Sequence, residues 1–205
     1  MHRLLARAPR PSAPLALVPL VLALGCVASG GSGAASFPAP EGVVVDVQEE
    51  TYAVFGTDPR SIWDSMNRRG PRLRGRFAWG LHGWRFDWET QWARTEAECR
   101  VADVRIEMST EITMPDWRSR ASAPMELREM WDEFERQLRE HEDQHRTYAL
   151  DAIEDLRRTI LAARGPDCET VSQRIRAQTD VIMERYEELN RLYDERSTVT
   201  WPPRR

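Results

Sequence analysis

The sequence predicts an α+β domain, in which a small, mostly antiparallel sheet with one short helix precedes a long antiparallel hairpin of two helices. Two observations support this fold class. Strand-like runs with alternating apolar residues fill the first half of the domain, and two long segments with apolar residues three and four apart fill the second. Composition divides the chain into a leader at 1–26, a linker at 27–42 and one domain at 43–200, which is long enough for its own core.

The leader has the anatomy of an export signal. Three arginines precede the apolar run Leu15–Leu24, which is too short to cross a bilayer. The run is followed by Gly25 and Cys26, and small residues before a cysteine are typical of a bacterial lipoprotein signal. We therefore predict that Cys26 is lipidated and anchors the protein to a membrane, on the periplasmic face of the cell envelope. Ordinary cleavage near Ala28 or Ala35 is the alternative.

The linker at 27–42 consists mainly of Gly, Ser, Ala and Pro and shows no periodicity, a composition typical of a flexible tether. Loss of residues 1–25 removes three arginines and no acidic residue, so the formal net charge moves from −4 to −7. This acidic balance argues against nucleic acid as a partner.

Two cysteines remain once Cys26 is consumed by lipid, namely Cys99 and Cys168. An even pair in an oxidising compartment predicts a disulfide. Two buried free thiols are the alternative.

The first half of the domain begins with β-branched and aromatic runs at Val43–Val47 and Thr51–Phe55, which predict two strands. Thr57 or Asp58 can then cap a short helix that has Pro59 as its first residue and ends before Gly70-Pro71.

A tryptophan-rich segment follows this helix. Up to Leu81 the alternating apolar residues stand at odd-numbered positions, and from Trp84 to Trp92 they stand at even-numbered positions. Gly80 and Gly83 lie where the alternation changes, as a bulge or turn requires. The tryptophan spacing also fits a helix. We interpret these tryptophans as core residues, with an aromatic wall of a substrate site as the alternative.

The clearest strand alternates apolar residues from Val104 to Met114 and stops at Pro115. Two interpretations stay open. The strand is either the edge of the sheet, where an extended peptide can add by backbone hydrogen bonds, or a half-buried structural strand.

The pentapeptide His141-Glu142-Asp143-Gln144-His145 has the HExxH pattern, in a chain with four histidines. It lies inside a helix predicted from about Ser122 to Arg164, and both histidines fall on the apolar face of that helix. Residues four apart share a helix face, so both imidazoles can bind one zinc ion while Glu142 reaches its water. Coincidence is the alternative to this predicted zinc site.

A catalytic zinc ion needs a third protein ligand. Asp151 lies about 240° around the helix from His145 and is therefore a poor candidate. A second helix is predicted from Cys168 to Tyr193, and a turn centred near Pro166 would place His145 opposite Glu187. The carboxylates within reach are those of Glu187, Glu188 and Asp194, and we favour Glu187 or Glu188.

Several landmarks occur together in this chain around the HExxH pentapeptide. They are Tyr52 with Val54 and Gly56, the Gly70-Pro71 pair, the tryptophan-rich segment, Cys99 with Val101, Pro115 with Trp117, the run Trp131–His145, Cys168, and Asn190 with Tyr193-Asp194. In this order they resemble the DUF922 family of predicted secreted zinc-dependent proteases, from about residue 45 to residue 198. The resemblance implies an exported bacterial protein with peptidase activity. Val199 stands where family members commonly carry a histidine.

These patterns together predict a metallopeptidase that hydrolyses peptide bonds in a peptide or protein substrate. Glu142 is the expected general base, acting on a water whose pKa zinc lowers toward about 7. Tyr193, Tyr186 or His82 could stabilise the oxyanion, against packing or a surface position as the alternative for each. A different class of function is also open: a lipid-anchored binding or scaffold protein that keeps a degenerate or structural metal site.

Overall fold

The structure is a computed structural model that describes residues 39, 41–73 and 75–203. The predicted leader at 1–26, the lipidation of Cys26 and most of the 27–42 linker lie outside these residues. Within the described part of the chain, no helix is long and apolar enough to span a membrane.

The fold is α+β, with a mixed sheet and three helices. The first half contains β1 (Val43–Val54), α1 (Pro59–Arg69), β2 (Arg72–Leu73), β3 (Arg76–Phe77), β4 (Leu81–Arg94) and β5 (Cys99–Trp117). The second half contains α2 (Met125–Ala162), β6 (Arg164–Gly165) and α3 (Cys168–Arg196), after a short 3-10 turn at Arg120–Ser122. The helix α1 begins as predicted, because Asp58 caps it and Pro59 is its first residue.

The strand β5 lies in the middle of the main sheet, between β1 and β4. It pairs with β4 in antiparallel and with β1 in parallel orientation, from Val43 opposite Ile106 to Val54 opposite Trp117. The sheet is therefore mixed, and the prediction of a mostly antiparallel sheet was wrong for its long β1–β5 pairing. Apolar alternation reports which face of a strand is buried and carries no information about its direction.

Two further strand predictions need correction. The runs Val43–Val47 and Thr51–Phe55 belong to the single strand β1, because the polar residues between them still pair with β5. The strand Val104–Met114 is part of β5, so it is not an edge strand and cannot accept an added peptide along its length. Among the described strands, β1 and β4 are the edge strands of this sheet.

The tryptophan-rich segment forms the strand β4 and not a helix. Trp84 and Phe86 are buried in the core, and Trp88 and Trp92 pack partly buried against it. The register shift in this strand lies between Gln91 and Trp92 and not at either glycine. The interpretation of these tryptophans as core residues agrees with this packing.

The helices α2 and α3 are connected by five residues that include β6, and side chains of the two helices contact each other at several points. Asp155 of α2 accepts a hydrogen bond from Tyr186 of α3 at 2.9 Å, and it also pairs with Arg185. Nearer the N-terminus of α2, His145 contacts Asn190. A disulfide joins Cys99, the first residue of β5, to Cys168, the first residue of α3.

Two separate hydrophobic clusters fill the space between the sheet and the helices. The first contains Phe86 and Met108 of the sheet and the part of α2 from Ala149 to Ile160. The second contains Met114 of the sheet and the part of α2 from Leu127 to Leu138. Both clusters thus contact α2, and the residues between Leu138 and Tyr148 belong to neither of them.

Candidate metal centre

A layer of buried polar side chains separates the two hydrophobic clusters. Its members come from four elements and are less than one-tenth exposed: His82 of β4, Thr110 of β5, Glu142 and His145 of α2, and Asn190 of α3. On β5, Thr110 lies between Met108 of the first cluster and Ile112 of the second. Because burying polar groups is costly unless they are paired, five of them in one layer indicate a purpose other than packing.

Three potential metal ligands converge beside this layer. The Nε2 atoms of His141 and His145 are 3.2 Å apart, and Oδ1 of Asp194 lies 3.3 Å from the first and 2.9 Å from the second. A tetrahedral zinc ion with bonds of about 2.0 to 2.1 Å separates neighbouring ligand atoms by about 3.3 to 3.4 Å. Two of the three separations are close to this spacing and the one between His145 and Asp194 is shorter, so a zinc ion fits between the three atoms after a small outward shift. The described residues contain no other such group of His, Cys, Asp and Glu side chains.

Each imidazole has a partner at Nδ1, on the side of the ring away from Asp194. Nδ1 of His145 lies 2.6 Å from Oδ1 of Asn190, and Nδ1 of His141 lies 3.3 Å from Oγ of Ser197. The Asn190 amide is itself fixed, because its nitrogen donates to the carbonyl of Tyr186 at 2.7 Å. An amide oxygen can only accept, so Nδ1 of His145 carries a hydrogen, and Nε2 is left either to bind a metal ion or, when the ring is protonated, to donate to Asp194.

The electrostatics of the three ligands favour a cation between them. Burial opposes ionisation of Asp194, but hydrogen bonds from His141 and His145 outweigh it and hold the pKa of that carboxyl well below its usual range. Burial likewise opposes protonation of His145, and Asp194 and Asn190 outweigh it, so the pKa of the imidazole is raised. A carboxylate facing two imidazole nitrogens attracts positive charge, which a proton or a metal ion can supply.

Glu142 lies in the polar layer with 4 % of its surface exposed. Burial raises the pKa of its carboxyl to about 7, and the nearby His145 and His141 and the backbone N–H of His82 oppose that rise. The His82 imidazole is engaged elsewhere, since Nε2 lies 2.5 Å from Oγ1 of Thr110. A buried carboxyl next to a metal ligand set is a common position for a general base.

The three predicted candidates for oxyanion stabilisation occupy different places. The ring of Tyr193 stacks on His141, with centroids 4.9 Å apart, and meets the ring of His145 edge-on at 5.4 Å. The hydroxyl of Tyr186 donates to Asp155 and lies away from the histidines along α3. His82 is buried in the polar layer, beside Glu142 through its backbone.

The carboxylate that the structure brings together with His141 and His145 is that of Asp194, the candidate that we did not favour, and neither Glu187 nor Glu188 belongs to this group. Both glutamates are exposed, and Glu188 accepts hydrogen bonds from Arg191. The connection between the helices is not a symmetric turn, because Arg164–Gly165 is extended and pairs with β5. The residue opposite His145 is consequently Asn190, about one helical turn beyond the expected Glu187.

Sequence reasoning missed Asn190, Ser197 and Thr110 as parts of the site. Asn190 and Asp194 are four residues apart, so they share a face of α3. The sequence therefore contains a signal for these two residues. They form a polar pair at helical spacing, on a helix that is predicted to pack against the HExxH face. Ser197 and Thr110 have no comparable pattern.

The fold and the site together define an α+β protein in which a His/His/Asp cluster, suited to a metal ion, lies between two apolar clusters. The sequence comparison assigns the chain to a family: it belongs to DUF922, described as a bacterial protein of unknown function, which matches residues 49–200. No curated protein and no solved structure matches the chain.

Replacing Asn190 with leucine is expected to weaken zinc binding about 10- to 100-fold, because the acceptor that orients His145 is lost. The Asn190→Asp variant retains an acceptor oxygen and should bind zinc more tightly than the leucine variant. Thr179→Val is the matched control, since Thr179 is also buried on α3 and its hydroxyl donates to the carbonyl of Ile175, one turn earlier in the same helix. Competition with a chromophoric chelator measures each affinity, and equal affinities for the leucine and valine variants would contradict the orienting role.

Proposed function

We propose that this protein is an exported, lipid-anchored zinc metallopeptidase of the bacterial cell envelope. The observation that carries the proposal is the convergence of His141, His145 and Asp194 next to the buried carboxyl of Glu142. Contact partners move in opposite directions along the two long helices, from Asp155–Tyr186 to His145–Asn190, which supports the predicted antiparallel hairpin. That hairpin brings ligands from both helices to one point.

The donor set suits zinc. Two imidazole nitrogens and one carboxylate oxygen are common zinc ligands, and three protein ligands leave a fourth position for water, as catalytic zinc sites require. The site is also accessible, because the side chain of Asp194 is 49 % exposed whereas that of His145 is 5 % exposed. The ligands therefore run from the polar layer to the protein surface, where a substrate can approach.

A bound zinc ion would supply Lewis acidity to a water molecule and to the scissile carbonyl. Glu142 accepts the proton of the attacking water and then donates it to the leaving amine. In the metal-free protein burial raises the pKa of this carboxyl to about 7, and its position beside the three candidate ligands suits a group that first accepts and then donates a proton. Asn190 and Ser197 hold the two imidazoles, and Tyr193 packs against both.

The outer edge of β4 is the proposed position of the substrate. β4 begins at Leu81, and the backbone of its second residue, His82, contacts Glu142. No described strand pairs with its outer edge, so an extended polypeptide can add there by backbone hydrogen bonds. This replaces β5 as the strand proposed to bind peptide, and it favours unfolded or extended protein segments as substrates.

The decisive experiment is the Glu142→Gln variant. We expect about one equivalent of bound zinc in both proteins, and hydrolysis of casein-like, envelope or cell-wall peptides by the unmodified protein. Loss of the base should lower kcat about 100- to 10,000-fold with zinc content unchanged. Glu140→Gln is the matched control, because Glu140 is exposed on the same helix and pairs with Arg136.

Two results would contradict the proposal. Absence of zinc after reconstitution would remove the metal site altogether. Full zinc occupancy with no cleavage of any of these peptides would favour the non-catalytic envelope lipoprotein, in which the same residues hold a structural metal ion.

A further inference from the structure

Gly80 is buried immediately before β4, and its environment is unusual among the described glycines. A Cβ atom at this position would lie 2.6 Å from Oε1 of Glu142 and 3.1 Å from both Cδ and Cγ of the same side chain. These are the three nearest heavy atoms outside the neighbouring residues, and all of them belong to Glu142. The space that a side chain at position 80 would fill is thus occupied by the carboxyl group of Glu142.

Backbone conformation does not explain this glycine. Among the described residues, the glycines with positive φ are Gly42, Gly56 and Gly75, so the backbone of Gly80 is one that other residues adopt. Gly70 differs as well, because a Cβ there would collide with the backbone carbonyl of Ala78. At Gly80 the obstacle is a side chain and not backbone, so an added methyl group would displace Glu142.

Rotation of Glu142 would have a specific consequence. In the present position its carboxyl accepts a hydrogen bond from the backbone N–H of His82, two residues after Gly80. A methyl group at position 80 would push the carboxyl away from that donor. The metal ligands would not be affected directly, because the nearest contacts of the added methyl group include no atom of His141, His145 or Asp194.

We infer that Gly80 is a positioning residue for the general base: its missing side chain makes the room in which the Glu142 carboxyl is held beside the start of β4. The catalytic consequence rests on the proposed peptidase function. The steric consequence does not, since it follows from the packing of Gly80 against Glu142 alone.

A stability cycle in the full chain tests the steric part. Gly80→Ala should lower the Tm by about 3 °C, since a buried hydrogen bond is lost and Glu142 leaves its preferred position. The same substitution in a Glu142→Ala background should not lower the Tm, because the atoms that the methyl group would meet are gone. Gly83→Ala is the control in both backgrounds, since a Cβ at Gly83 has no heavy atom within 4 Å.

Zinc affinity and turnover test the catalytic part. Gly80→Ala should leave the zinc dissociation constant and KM unchanged and lower kcat about 100-fold, the effect of a displaced base. A merely structural role would instead move zinc affinity, KM and kcat together.

The outcomes separate the two proposals. An equal Tm change for Gly80→Ala in both backgrounds would overturn the positioning role, whatever the activity. A Tm change that depends on Glu142, together with unaltered kcat in an active protein, would also overturn it. A Tm change that depends on Glu142 in a protein without any peptidase activity would support the steric role of Gly80 and contradict the proposed function alone.

Discussion

Replacing Asp194 with alanine is expected to weaken zinc binding at least about 100-fold, which exceeds the typical effect of removing a residue that only orients a ligand. The reason is the position of Oδ1 of Asp194, within 3.3 Å of Nε2 of both histidines. Its removal leaves two imidazole ligands, one fewer than catalytic zinc sites use. Competition titration against a chelator of known affinity gives the dissociation constant.

Glu187→Ala and Glu188→Ala are the natural controls for this prediction. Both residues lie on the same helix and carry the same charge as Asp194, yet both are exposed away from the histidines. Their variants should therefore bind zinc like the unmodified protein. If Glu187→Ala or Glu188→Ala loses zinc while Asp194→Ala retains it, the register between α2 and α3 differs from the one described here.

The part of the site that can be predicted well from the sequence is the part that follows from helical periodicity. The apolar residues of α2 recur at helical spacing over 38 residues, so the buried face of this helix follows from the pattern. His145 and Glu142 are buried in the structure and His141 is largely buried. The separation of two apolar clusters by polar residues depends on contacts between distant elements, and no local pattern predicts it.

The register between two helices is harder to predict from sequence. A turn of known centre would fix which residues face each other, but Arg164–Gly165 leaves the helical path to pair with Cys99 and Arg100. That pairing depends on the position of β5, more than sixty residues earlier. The sequence therefore favoured Glu187 or Glu188, which lie about two helical turns before Asp194.

The direction of β1 relative to β5 could not be predicted from the sequence for a related reason. Its apolar alternation is the same for parallel and antiparallel pairing, and the intervening α1, β2, β3 and β4 decide which way the chain runs when β5 forms.

Val199 is a residue for which the structure removes a concern that the sequence raised. The resemblance to the family implies a histidine at this position in relatives, whereas Val199 packs against the second hydrophobic cluster, and the group of His141, His145 and Asp194 forms without it.

Loss of the disulfide between Cys99 and Cys168 is expected to lower the free energy of unfolding by about 4 kcal/mol. The bond closes a loop with a sequence separation of 69 residues, and a loop of that length restricts the unfolded chain strongly. For a domain of this size the Tm should fall by about 10 °C. Thermal unfolding of the Cys99→Ser/Cys168→Ser variant measures the change, with the reduced unmodified protein as a second test.

Zinc binding should respond differently from stability in this variant. The disulfide holds the first residue of α3, whereas Asp194 lies 26 residues further along that helix, about 39 Å away. Between them, the pairing of Tyr186 and Arg185 with Asp155 holds α3 against α2 without the covalent bond. The zinc dissociation constant, measured well below the lowered Tm, should therefore match that of the unmodified protein. A large loss of zinc affinity would mean that side-chain packing alone does not set the register of α3, and that the covalent link at its far end is needed to bring Asp194 to the histidines.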